Sequence, residues 1–170
     1  MTAVRLIGPA TTGRATDLDA AGAPVRPCPV ARSAASSRER SALQAVLGVL
    51  AAVPFATGAL GAVRGPASVP GGPGDGRLSS SLDSEYRFTN VFWTAAGPAL
   101  WWTLPRLEQR AGVTRALVVT VAVGGVARAL SWRTTGRPHP VFVAATALEL
   151  VGMPAVLAWH RRVTRAAGRR

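Results

Sequence analysis

The chain contains no lysine, one cysteine, two histidines and only eight acidic residues among its 170. Each shortage removes a class of function. With Cys28 alone there is neither an intramolecular disulfide nor a cysteine-based metal framework. His139 and His160 fall at opposite ends of an apolar run and cannot share a metal ion. Ser79, Ser80 and Ser81 have no histidine base near them in sequence. The stretch GGPGDG (Gly71–Gly76) lacks the preceding strand and following helix of a phosphate-binding loop. No catalytic residue, metal or cofactor is called for, and enzymatic activity has no support.

All 20 basic residues are therefore arginine, and the net charge is +12. In a soluble chain that excess would point to nucleic acid. Here the arginines gather in the tails and between apolar runs, with no basic face interleaved with aromatics. Nucleic acid is excluded as a partner. Missing lysine beside abundant Ala, Gly, Val and Pro matches GC-rich coding, so part of the arginine content reflects codon usage.

What the chain does have is length without charge. Four apolar stretches are expected at about residues 41–63, 87–104, 113–132 and 140–159. The first, SALQAVLGVLAAVPFATGALGAV, is long enough to cross roughly 30 Å of hydrocarbon. Pro54 and Pro98 are tolerable inside membrane helices. Trp101, Trp102, Trp132 and Trp159 fall at predicted ends, where indole suits the membrane–water interface. A soluble bundle would need a charged face opposite each apolar stripe, and the first and fourth stretches have almost none. The expected fold is an all-α polytopic membrane protein, four transmembrane helices in an antiparallel bundle.

Residues 1–40 mix Ala, Gly, Pro, Ser, Thr and Arg without periodicity, which predicts a disordered arm. The arm lacks the apolar centre of a secretory signal. Its Arg-rich and Ala-rich character is that of a transit peptide, against which Asp17, Asp19 and Glu39 count; a start assigned too far upstream gives the same pattern. Residues 161–170 read as a basic tail. Arginines in the arm, at Arg106 and Arg110, and from Arg161 onward outweigh those on the other side. This bias places both termini in the cytoplasm of a multi-pass cell-membrane protein.

Several segments together resemble a known family. LDSEYRFTN (Leu82–Asn90) precedes the second stretch, GGVARALSW (Gly124–Trp132) ends the third, Gly136–Pro138 follows, and LELVGMP (Leu148–Pro154) occupies the fourth. Their order and spacing are similar to the small bacterial membrane proteins grouped as domain of unknown function 4345, over about residues 41–160. The resemblance implies four transmembrane helices and no assigned activity. The Gly/Pro-rich insertion around Ser68–Gly76 departs from the family pattern.

Two polar groups stand out. Arg128 and Glu149 lie inside the third and fourth stretches, where a charge costs at least ~2.5–3.5 kcal/mol. At 1.5 Å per residue they should sit roughly 7 Å and 13 Å below the outer surface, within reach of each other across neighbouring helices. They form either a structural pair holding two helices in register or part of a proton, ion or substrate path. Asp83, Glu85, Arg87 and Asn90 lie where the second stretch begins. They are either the mouth of a cavity above Arg128 or a helix start capped by Asp83 or Ser84. Gly124, Gly125, Gly48, Gly58 and Gly61 read as packing positions. The functional expectation is a structural or accessory component whose partners are the bilayer and a second copy or another membrane protein. The alternatives are a small transporter or channel using Arg128 and Glu149, and a membrane-embedded enzyme acting on lipid.

Overall fold

A computed structural model describes residues 29–72 and 79–168 of the chain, and these are all helix or short connection. The chain divides into two units, residues 1–34 and 35–170; the second holds the helical domain. Cys28, the arm up to residue 28 and residues 73–78 of the Gly/Pro-rich insertion lie outside the described residues.

Helix α1 runs Pro29–Arg64. Residues 29–40, expected to be disordered, are thus helical. Ala, Arg, Ser and Glu oppose a helix little, extension of an existing helix is cheap, and Pro29 stands at a start that needs no N–H. Helix α2 runs Ser80–Thr103, beginning well before residue 87. Its N-cap is Ser79, whose side chain accepts the Leu82 N–H at 3.3 Å. The expected caps, Asp83 and Ser84, lie inside the helix instead, with Asp83 in its first turn. Helix α3 spans Ala111–Thr135 and ends at Gly136, whose φ of 89° only glycine adopts without strain. Helix α4 spans Pro140–Ala167, so residues 161–167 of the basic tail are helical. Pro140 opens it, and His139 caps it through Nδ1, which accepts the Val141 N–H.

Among the described residues, three helical segments are long and apolar enough to cross a membrane: Ser36–Ser68, Ala111–Thr135 and Pro140–Ala167. Helix α2 is not among them: besides Asp83, Glu85 and Arg87 in its first turns, Asn90, Pro98 and its threonines and tryptophans keep its hydropathy low.

One end of the bundle, termed proximal, carries the α2–α3 connection and the end of α4; the distal end carries the α1–α2 and α3–α4 connections. The buried apolar core lies in the proximal half. It comprises Leu43, Leu47 and Ala51 of α1, Leu100 of α2, Leu107, Val118 of α3, and Met153 and Val163 of α4. In the distal half the helices pack as pairs. Helix α2 lies so close to α1 that a Cβ on Gly61 would sit 2.5 Å from Asn90 Oδ1. Helix α3 meets α4 in the same intimate way at Gly125. Such small-residue contacts suit helices in lipid, where van der Waals packing rather than water release drives association.

Candidate functional site

A cavity of about 550 Å³ opens between the helices, inside the size range of small-molecule sites. All four helices line it, with Leu50 and Pro54 from α1, Trp93 and Ala96 from α2, Val121 from α3 and Glu149 from α4. Its floor is a layer of one buried residue per helix: Leu47, Leu100, Val118 and Met153. Its rim includes Val53, Phe92 and Leu148, all exposed and none at a helix end. The cavity therefore opens sideways at mid-height. Apart from the hydroxyls of Thr89 and Thr120 and the indole of Trp93, Glu149 is its only polar lining residue among the described residues.

A local distortion sets the position of Glu149. Residues Leu148–Gly152 form a π-helical turn within α4, in which the Met153 N–H bonds to the Leu148 carbonyl five residues back. Pro154 accounts for it. Pro154 offers no N–H to the Leu150 carbonyl, and its ring would press on that carbonyl in a regular α-helix; the wider turn makes room. Turns of this kind recur at functional sites. Across from it, Gly125 lets α3 come in close, because a Cβ there would lie 2.7 Å from Glu149 Cβ. Gly124, its neighbour, faces open space.

The structure brings Arg128 and Glu149 together. Arg128 Nε donates to Glu149 Oε1 at 3.1 Å and lies 3.0 Å from Oε2. Among the described residues no donor is aligned on Oε2, which is buried. Glu149 is 8% exposed, whereas the Arg128 side chain is 41% exposed. The guanidinium stands over the Phe142 ring, 5.4 Å from its centroid, a cation–π contact that covers part of the charge. Glu149 thus lines the cavity while its carboxylate is turned to the arginine of α3.

Asp83, Arg87 and Asn90 form a group of their own at the α1–α2 contact, and none of them lines the cavity. Arg87 donates to Asp83 Oδ2 at 2.8 Å and to the carbonyls of Ala62 and Val63 at 3.1 and 2.7 Å. Those carbonyls are among the last of α1, which have no partner within the helix, and a cation there also complements the helix dipole. Asn90 donates to the Tyr86 carbonyl at 2.7 Å beneath Gly61. Glu85 is exposed and stands apart from them.

A second polar layer, at the proximal end, was not among the sequence expectations. Arg40 pairs with Glu108 at 2.7 Å and reaches the Pro105 carbonyl; Gln44 donates to the Leu104 carbonyl at 2.6 Å. Arg110 bonds to the Trp102 carbonyl and stacks 3.6 Å over the Trp102 ring. Together they satisfy the carbonyls where α2 ends. The hydrogen bond from Arg40 holds the Glu108 carboxyl below the usual carboxylate range. Glu39 joins α1 to α4 by accepting from Trp159 and Arg162. His160 is 1% exposed, with neither ring nitrogen hydrogen-bonded among the described residues. Nearby, Arg115 donates to Thr164 Oγ1 at 3.1 Å.

No curated protein and no solved structure matches the chain. One family does, described as "Domain of unknown function (DUF4345)", over residues 42–160. That interval holds α2, α3 and most of α1 and α4, with the cavity lining, the Arg128–Glu149 pair and the Asp83–Arg87–Asn90 group. It covers well over half of the 170 residues, and the chain belongs to this family.

Proposed function

We propose that this is an integral protein of the cell membrane in which all four helices cross the bilayer as an antiparallel bundle, with both termini in the cytoplasm. Three helices have the necessary apolar length on their own. For α2, the charges that lower its apolarity sit in the distal first turns, where Arg87 is bonded to Asp83 and to the end of α1. Beyond them the helix carries no charge to Trp101 and Trp102, which suit an interface. The proximal end carries Arg106, Arg110, Arg161, Arg162 and Arg165, which supports a cytoplasmic position for it.

Its role is accessory rather than enzymatic. The protein holds a lipid-soluble molecule in the cavity, beside the bilayer and in company with a second copy or another membrane protein. One observation carries this reading: a cavity of about 550 Å³, lined by all four helices, opens sideways at a depth where a bilayer supplies hydrocarbon. Transport through the Arg128–Glu149 pair is the second reading, favoured by the pair's place at the cavity. The buried floor of Leu47, Leu100, Val118 and Met153 counts against it, because these side chains close the cavity below among the described residues. Lipid chemistry at Asp83, Glu85, Arg87 and Asn90 has less support. Asp83, Arg87 and Asn90 are engaged in the α1–α2 contact.

Two measurements test the proposal in reconstituted vesicles. In a Cys28→Ser background, Glu85→Cys should react with an impermeant maleimide added on the distal side, and Gly168→Cys only on the proximal side. Reaction of both from one side removes the four-span topology. Bromoundecane, whose bromine quenches indole on contact, should quench Trp93 in the wild type and much less in Ala96→Phe, which fills the cavity. Equal quenching in both would remove the binding role.

A further inference from the structure

We infer that the proximal end of α4 carries a binding site for one anionic phospholipid, whose phosphate is held by Arg161 and Arg165 and whose acyl chain runs past Ala158. This rests on the four-span placement proposed above and is independent of the cavity.

The site follows from how α4 is seated. Its last turns bury His160 and Val163 against the bundle, which leaves Arg161, Arg162 and Arg165 exposed. Residues three and four apart share a helix face, so these arginines stand on the same side as Ala158. Together the four residues line an open hollow of about 340 Å³, within the size range of small-molecule sites. Ala158, Ala155 and Pro154 are all exposed. Toward the hydrocarbon the same face therefore continues as a shallow apolar track, with no long side chain to block an acyl chain.

Charge selects the head. Among the described residues the acids at this end are Glu39 and Glu108, and each is already engaged, by Arg162 and Arg40. Glu39 thereby holds Arg162 as one wall of the hollow. Arg161 has no carboxylate within ion-pair range among the described residues. An arginine presents five donors in a planar fork that matches a phosphate, so engagement elsewhere does not exhaust Arg162 or Arg165. A head with net negative charge gains this pairing in full. Phosphatidylcholine brings an ammonium that the same arginines repel, and a free phosphate has no chain to lay on the apolar track.

The experiment is native mass spectrometry of the full chain released from neutral maltoside micelles. The micelles hold phosphatidylglycerol and phosphatidylcholine of identical acyl chains at equal mole fraction. Two arginines near a membrane surface correspond to about a thirtyfold preference for an anionic lipid, so the wild type should retain one phosphatidylglycerol far ahead of phosphatidylcholine. Arg161→Gln/Arg165→Gln should lose most of that preference. Arg133→Gln/Arg137→Gln removes two exposed arginines from the distal end and should keep it. Ala158→Phe fills the hollow without changing charge and should weaken retention. Inorganic phosphate at the lipid's concentration should not displace the bound lipid.

Equal retention of the two lipids by the wild type overturns the site, whatever the variants do. A preference that survives in Arg161→Gln/Arg165→Gln and Ala158→Phe, or is lost equally in Arg133→Gln/Arg137→Gln, overturns its assignment to this hollow. Displacement by inorganic phosphate overturns the lipid as occupant in favour of a free anion. The maleimide labelling of Glu85→Cys and Gly168→Cys reads the four-span placement separately. Labelling from opposite sides with equal lipid retention removes this inference alone; labelling of both from one side removes the placement and the inference together.

Discussion

Gly125 of α3 and Glu149 of α4 touch backbone to side chain: a Cβ on the glycine would lie 2.7 Å from Cβ of the glutamate. This contact, more than the charges, determines how close α3 and α4 come where the ion pair forms. Gly125→Ala should therefore destabilise the protein by about 1–3 kcal/mol through overpacking. Gly124→Ala, with nothing within 4 Å, should be neutral or slightly stabilising, since alanine is the better helix former. Thermal unfolding in detergent distinguishes the two, and equal effects would mean that the close approach does not matter.

Arg128→Gln and Glu149→Gln should each weaken the fold, by up to about 3 kcal/mol, since each strands the partner charge. The double variant should recover most of the loss. A completed double-mutant cycle with no coupling would show that the two side chains act independently despite their 3.1 Å hydrogen bond.

Arg87→Met should cost about 1–3 kcal/mol, because Asp83 and the Ala62 and Val63 carbonyls lose their donor together. The neighbouring Glu85→Gln should change stability by less than about 0.5 kcal/mol, as exposed substitutions usually do. If the two were alike, the end of α1 would not depend on Arg87.

Acid should selectively weaken the proximal end. Arg40 depresses the Glu108 carboxyl in the folded protein. The unfolded state therefore binds its proton first, near pH ~4.3. Stability from the pair is fully present above that pH and is lost as pH falls through the lower folded value. The difference in Tm between wild type and Glu108→Gln should be largest at neutral pH and shrink on acidification below about pH 4. A difference that stays constant with pH would rule out the carboxylate as the source.

What the sequence disclosed depended on whether the information was local. Helices α1, α3 and α4 were legible because apolar runs of bilayer length with at most an isolated charge are rare outside membrane spans. The starts of α1 and α2 were not, because capping at Ser79 and extension back to Pro29 leave weak marks beside an apolar signal. Arg128 and Glu149 stood out as isolated charges in apolar runs. The cavity did not, because its lining is drawn from four helices and shares no motif. Asp83, Arg87 and Asn90 were visible as a cluster, but the partners of Arg87 on α1 are backbone carbonyls, which no side-chain pattern reveals. Pro154 was the one local hint of the π turn.

That turn gives α4 a spare residue. A π turn holds one residue more than an α turn, so Leu148–Gly152 takes up a residue that a regular helix would convert into a change of face. Pro140–Ala147 and Met153–Ala167 thereby keep their seats on the bundle together, with Thr146 buried in the first and His160 and Val163 in the second. Deleting one residue from Leu148–Gly152 would close the wide turn and leave the Pro154 ring pressing on the carbonyl before it.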